Sequence, residues 1–103
     1  DVLLGEAFGR QGAWGDALER FEAARHAQAD NAEALRGETQ ALLMLGRGAD
    51  AAEPAAALLR LLPNDVDALL LIATARFESG DPEGALEVLD QARRADPRRA
   101  EVQ

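Results

Sequence analysis

Gly12, Gly46 and Gly80 stand 34 residues apart, and each carries the same neighbourhood with it. Ala17, Ala51 and Ala85 follow five residues beyond the glycines, and Ala29, Pro63 and Pro97 follow seventeen beyond, where a turn closes each copy. An interval of this length, with glycine in one turn and proline in the other, describes a two-helix unit that buries its apolar face against copies of itself. The chain is therefore expected to be all-α, an α-hairpin repeat solenoid of about three units.

Composition agrees with that architecture. Of 103 residues 48% are apolar, mostly alanine and leucine, while three Phe, one Trp and no Tyr leave little of the β-branched and aromatic content that strands need. The length is that of one domain over residues 1–103, with units at 1–31, 32–65 and 66–99 and a further helix starting at 100–103. A net charge of −8 argues against a general affinity for nucleic acid or anionic lipid. All eleven bases are arginine, which reads as the codon bias of a GC-rich genome. No cysteine is present, which removes disulfides, thiolate catalysis and cysteine-ligated zinc. No apolar run reaches the roughly 18 residues of a membrane span and no charged-then-apolar leader opens the chain, so a soluble molecule without membrane insertion is expected, its compartment unknown with the cytoplasm slightly favoured. It begins at Asp1 rather than a methionine, and an excised segment of a longer array is expected on that ground.

Local signals place the elements. A first helix is read over Asp1–Gln11, ended by Gly12, and a second over about Gly15–Gln28 with Ala17, Phe21 and Ala24 inward. Asn31 is the expected N-cap of the next helix, Asp65 of the one opening the third unit, and Asp81 of a helix with Pro82 at its first position and Glu83 favouring the dipole. Leu58 and Leu89 are read as space-filling residues of the second helices. Pro54 conflicts with its surroundings, and the helix around Asp50–Pro54 is expected to start late or with an irregular turn. Trp14 is read as an inter-helix packing residue.

In columns, these units resemble the tetratricopeptide repeat. The first has Leu4-Gly5, Phe8, Ala17, Phe21 and Ala29. The second has Leu35, Leu42, Ala51, Ala55 and Pro63, with Glu38-Thr39 in place of Leu-Gly. The third has Leu69, Ile72-Ala73, Ala85, Leu89 and Pro97, with Arg76 where an aromatic is common. The resemblance implies a right-handed superhelix whose first helices line a concave surface, and a non-enzymatic role in binding other proteins.

No catalytic constellation, cofactor motif or metal set is found. His26 has no partner at ligand spacing, and Gly46-Arg47-Gly48 lacks the lysine of a phosphate loop. Glu19, Glu22, Glu83, Glu87 and Asp90 fall at the spacings of solvated faces, with Arg94 four residues beyond Asp90 as a pairing partner. By the family's register the peptide-binding groove comprises Val2, Glu6, Arg36, Gln40, Leu43, Met44, Leu70, Thr74, Phe77 and Glu78. Val2, Glu6, Gly37, Leu70 and Thr74 stand where carboxylate-gripping relatives carry lysine, asparagine and arginine, which argues against that specificity. Glu33, Asp67 and Glu101 form an acidic ladder, read either as helix-dipole complements or as an acidic rim beside an apolar strip. The expected partner is thus a basic, amphipathic protein segment or peptide, and the alternative is a structural role in self-association or in a longer multidomain chain.

Overall fold

The computed structural model describes residues 13–98. The expected helix over Asp1–Gln11, the turn at Gly12 and the helix start at 100–103 lie outside the described residues, as do Val2, Glu6 and Glu101. Among the described residues there are five helices and no strand: α1 Trp14–Ala27, α2 Ala32–Met44, α3 Gly48–Leu61, α4 Val66–Glu78 and α5 Pro82–Ala95. Short turns fold each helix back on its predecessor, and α4 also packs on α2.

The two kinds of turn have different chemistry. After α2 and α4 the chain enters the left-handed region at Gly46 (φ 74°) and Gly80 (φ 91°), where a side chain would be strained. The next amides reach back, Arg47 N–H to the Leu42 carbonyl and Asp81 N–H to the Arg76 carbonyl, both at 2.8 Å, which satisfies carbonyls the helix ends leave open. The turns after α1 and α3 instead end on a capping side chain. Asn31 accepts from Ala34 N–H at 3.1 Å and Asp65 from Ala68 N–H at 3.0 Å. Asp81 likewise caps α5 by accepting from Gly84 N–H at 2.9 Å, with Pro82 in the first turn where its missing donor is harmless.

Alanine at the repeated inner position lets helix axes approach. Ala17, Ala51 and Ala85 are buried, and Leu35, Leu58, Leu69, Ile72 and Val88 fill the space around the latter two. Trp14 is half-buried against the core edge as the first residue of α1. One close approach is absolute: a Cβ on Gly37 of α2 would collide with the Phe21 ring of α1.

Three expectations are corrected. Pro54 neither delays nor distorts its helix, because α3 runs unbroken from Gly48 with Pro54 as its seventh residue. The ring is buried in the core, and the carbonyl four residues back belongs to exposed Asp50, where water can satisfy it. In α5 the large residue that is fully buried is Val88, and Leu89 is half-buried. Ala55, the equivalent of Leu89 one unit earlier, is covered by α4, whereas no described element packs beyond α5. Asp90 pairs with Arg93, at 3.4 Å, rather than with Arg94.

The two leucines should therefore behave differently in urea denaturation. Leu58→Ala should lose on the order of 2 to 5 kcal/mol, and Leu89→Ala roughly 1 kcal/mol or less. Equal losses would contradict this assignment of the inner face.

Candidate functional site

Among the described residues two hollows stand out, one apolar and one charged. The apolar one is a groove of about 650 Å3 between α4 and α5. From α4 it is lined by Leu70, Ala73, Thr74 and Phe77, and from α5 chiefly by Leu86, Leu89 and Arg93. Phe77 is 64% exposed and Leu86 62%, so two large apolar side chains of one groove face solvent. Thr74 adds no strong polarity, since its hydroxyl donates to the Leu70 carbonyl at 3.0 Å. Arg93 is the only charged residue of the lining, and its ion pair with Asp90 on the same helix is exposed.

Of the ten groove residues expected from the sequence, three meet here: Leu70, Thr74 and Phe77. The α2 set is placed elsewhere. Met44 is exposed at the end of α2, Gln40 is exposed, and Leu43 is half-buried against the core. Arg36 is half-buried and lies 3.9 Å from Asp65. Glu78 is exposed at the end of α4, where a Cβ on Gly48 would come within 2.6 Å of its own Cβ. Glu33 and Asp67 both fall in the first turns of their helices, α2 and α4. The α5 contribution was missed because attention to first helices alone leaves out the second helix that forms the other wall. The signal was present in the 34-residue columns, where Leu86, Leu89 and Arg93 repeat the large residues Leu18, Phe21 and Arg25 of α1 rather than the Ala52, Ala55 and Leu59 of α3.

The charged hollow, of about 550 Å3, surrounds a three-helix ion cluster. Glu38 occupies the position where leucine is usual in the repeat and is 4% exposed. Arg25 of α1 meets it, Nη1 to Oε2 at 2.6 Å, and extends its other nitrogen to Glu53 of α3. The guanidinium thus ties α1, α2 and α3 together. Burial pushes the Glu38 carboxyl up from its ordinary value despite the pull of Arg25. Glu53 is exposed and suffers little desolvation, so the hydrogen bond from Arg25 wins and holds its pKa down. The hydrogen bonds to Glu53 and Glu38 in turn push Arg25 further up, against its own desolvation. His26 also lines this hollow and is exposed, and among the described residues no group of His, Asp and Glu is placed to hold a metal ion. Nor is any described helix long and apolar enough to cross a membrane.

Comparison with known proteins bears on both hollows through the fold. Tetratricopeptide repeat profiles match residues 2–66 and residues 42–103. No curated protein matches. Among solved structures, the MamA RS-1 ArsTM double mutant is similar with a TM-score of 0.87 at 21% identity, over 93% of this chain. A crystal structure of MamA is similar with a TM-score of 0.83 at 19% identity, over 90% of this chain. The chain spans 54% of the length of each. At these identities the likeness concerns the fold.

The ion cluster gives two predictions. Arg25→Ala, which strands Glu38, should cost on the order of 3 kcal/mol, while the double variant Arg25→Met with Glu38→Leu should be about as stable as the parent or more so. A double variant as unstable as the single one would mean the cluster is not what holds these helices. Secondly, the folded state holds the Glu38 proton more tightly than the unfolded state, so the stability of the parent relative to Glu38→Gln should fall as pH rises from the ordinary value of 4.5 through the raised one. Glu53 acts in the opposite sense, its contribution being present above its ordinary value and lost as pH falls through the depressed one. Denaturation profiles of the parent and Glu38→Gln that run parallel from pH 4 to 8 would contradict the burial argument.

Proposed function

Because this chain belongs to the tetratricopeptide repeat family, a fold of protein-interaction modules, we propose that it is a non-catalytic module that holds a polypeptide segment of a partner in the groove between α4 and α5. The observation that carries the reading is the pair Phe77 and Leu86, both exposed, from the α4 and α5 sides of one apolar groove that half-buried Leu70 and Leu89 also line. Apolar side chains in such a position lose water on docking and supply most of an interface's affinity. The partner segment is amphipathic, with its apolar stripe in the groove. The net charge of −8, with Glu33, Asp67 and Glu78 on the first helices, attracts a partner of net positive charge over distance, which acts on association rate more than on the final contacts.

Peptides selected from a display library against this chain provide the test. Phe77→Ala should weaken a selected peptide by on the order of 2 kcal/mol, as expected of a hot-spot aromatic, and Leu86→Ala similarly. Glu87→Ala, on the exposed outer side of α5, should leave affinity unchanged. If Glu87→Ala abolishes binding while Phe77→Ala and Leu86→Ala do not affect it, the working surface lies on the second-helix exterior.

A further inference from the structure

The two arms of the Arg25 guanidinium end in different surroundings. One reaches Glu38 of α2, a buried carboxylate, and the other reaches Glu53 of α3, whose side chain is 72% exposed. Breaking the first arm would strand a charge inside the stack. Breaking the second puts both groups into water, which costs little and is favoured by salt. The arm to Glu53 therefore releases first, while Glu38 keeps the guanidinium in place.

The helices that this second arm joins, α1 and α3, each pack on α2 and make little direct contact with one another. The hollow of about 550 Å3 along their seam is lined largely by charged side chains, among them Glu22 and His26 of α1 and Asp50 of α3. Widening the seam exposes mainly polar surface, so hydrophobic burial offers it little resistance. In the same junction the Phe21 ring rests on Gly37, the residue before Glu38, where α2 has no Cβ. Interdigitating side chains fix the crossing angle of two helices. A ring on bare backbone fixes where α1 and α2 meet and leaves the angle freer. We infer that Arg25 and Glu53 form a salt-sensitive latch across the seam between α1 and α3, which when closed sets the angle between the first two repeat units and when released lets α1 turn about the Phe21 contact on Gly37. The curvature of a stacked repeat accumulates from such inter-unit angles, so the latch adjusts the surface that the stack presents.

The next junction has different chemistry at these positions. The columns of Arg25, Glu38 and Glu53 hold Leu59, Ile72 and Glu87 thirty-four residues on. Ile72 is fully buried and Leu59 packs against the core, so a change of angle between α3 and α4 would separate apolar surface. Ions act on the first junction and leave the second unmoved. The latch is built from residues of α1, α2 and α3 and does not depend on what lies beyond α5.

The chain has no cysteine, so spin labels can be placed in pairs on the whole protein. Ala27, Leu61 and Ala95 are exposed, occupy one 34-residue column and are the last residues of α1, α3 and α5. With labels at Ala27→Cys and Leu61→Cys, pulsed electron paramagnetic resonance in low salt should give a narrow distribution of distances between α1 and α3. Glu53→Ala, or about 1 M sodium chloride, should lengthen the mean distance and broaden the distribution. Salt should add nothing further in Glu53→Ala, and labels at Leu61→Cys and Ala95→Cys should respond to neither change. Because Glu53 is exposed, Glu53→Ala should keep the helical content of the parent by circular dichroism. A distribution between α1 and α3 that stays narrow in Glu53→Ala and in high salt would overturn the latch. Equal broadening of both label pairs would also overturn it, since that reports loosening of the whole stack.

Discussion

Everything in this structure depends on the close approach of successive helices at one alanine column. Ala17, Ala51 and Ala85 carry no side chain beyond Cβ, so a neighbouring helix can settle against the backbone and bring Leu35, Leu58, Leu69 and Val88 into contact around them. A lone hairpin would leave half of these residues in water, and only the stack removes them. The glycine turns and the Asn31 and Asp65 caps hold this arrangement in register, since each fixes where a helix stops or begins before the next packs on it.

The Arg25, Glu38 and Glu53 cluster shows how a polar residue can replace a core leucine without breaking the stack. Glu38 is buried where an apolar side chain is usual, and the desolvation of its carboxylate is offset in part by a guanidinium supplied from a different unit. Such a pair adds little net stability compared with two apolar residues, yet it penalises any register in which Arg25 and Glu38 do not meet. The Phe21 ring over Gly37 acts beside it in the same sense, through shape rather than charge. Together they make the first junction specific, whereas the second relies on packing around Leu71 and Ile72.

The column positions also differ between the helices of the groove and those of the buried stack. Leu18 and Phe21 of α1 are buried, whereas Leu86 and Leu89 in the same columns of α5 are exposed and half-buried, because no described element packs over α5.

The 34-residue recurrence by itself determined the all-α repeat architecture, the positions of the turns and most of the buried column, because glycine at a left-handed turn, an N-cap and an alanine at a helix crossing each have a local physical cause that a sequence displays. Leu70, Thr74 and Phe77 were expected from the register of the family resemblance, and all three line the hollow between α4 and α5. Only the tertiary structure decided what depended on which neighbour is present. Pro54 is harmless because its ring enters a core and the residue four back, Asp50, lies on the exposed side of the helix, which no local rule contains. Glu38 is tolerated because Arg25, thirteen residues away, arrives beside it. Leu89 is half-buried where Ala55 is covered because no described element lies over α5, and this turns Leu86, Leu89 and Arg93 from packing residues into a surface. Periodicity specifies which side of a helix is inward. Whether something is there to meet it is settled by the packing of the whole stack.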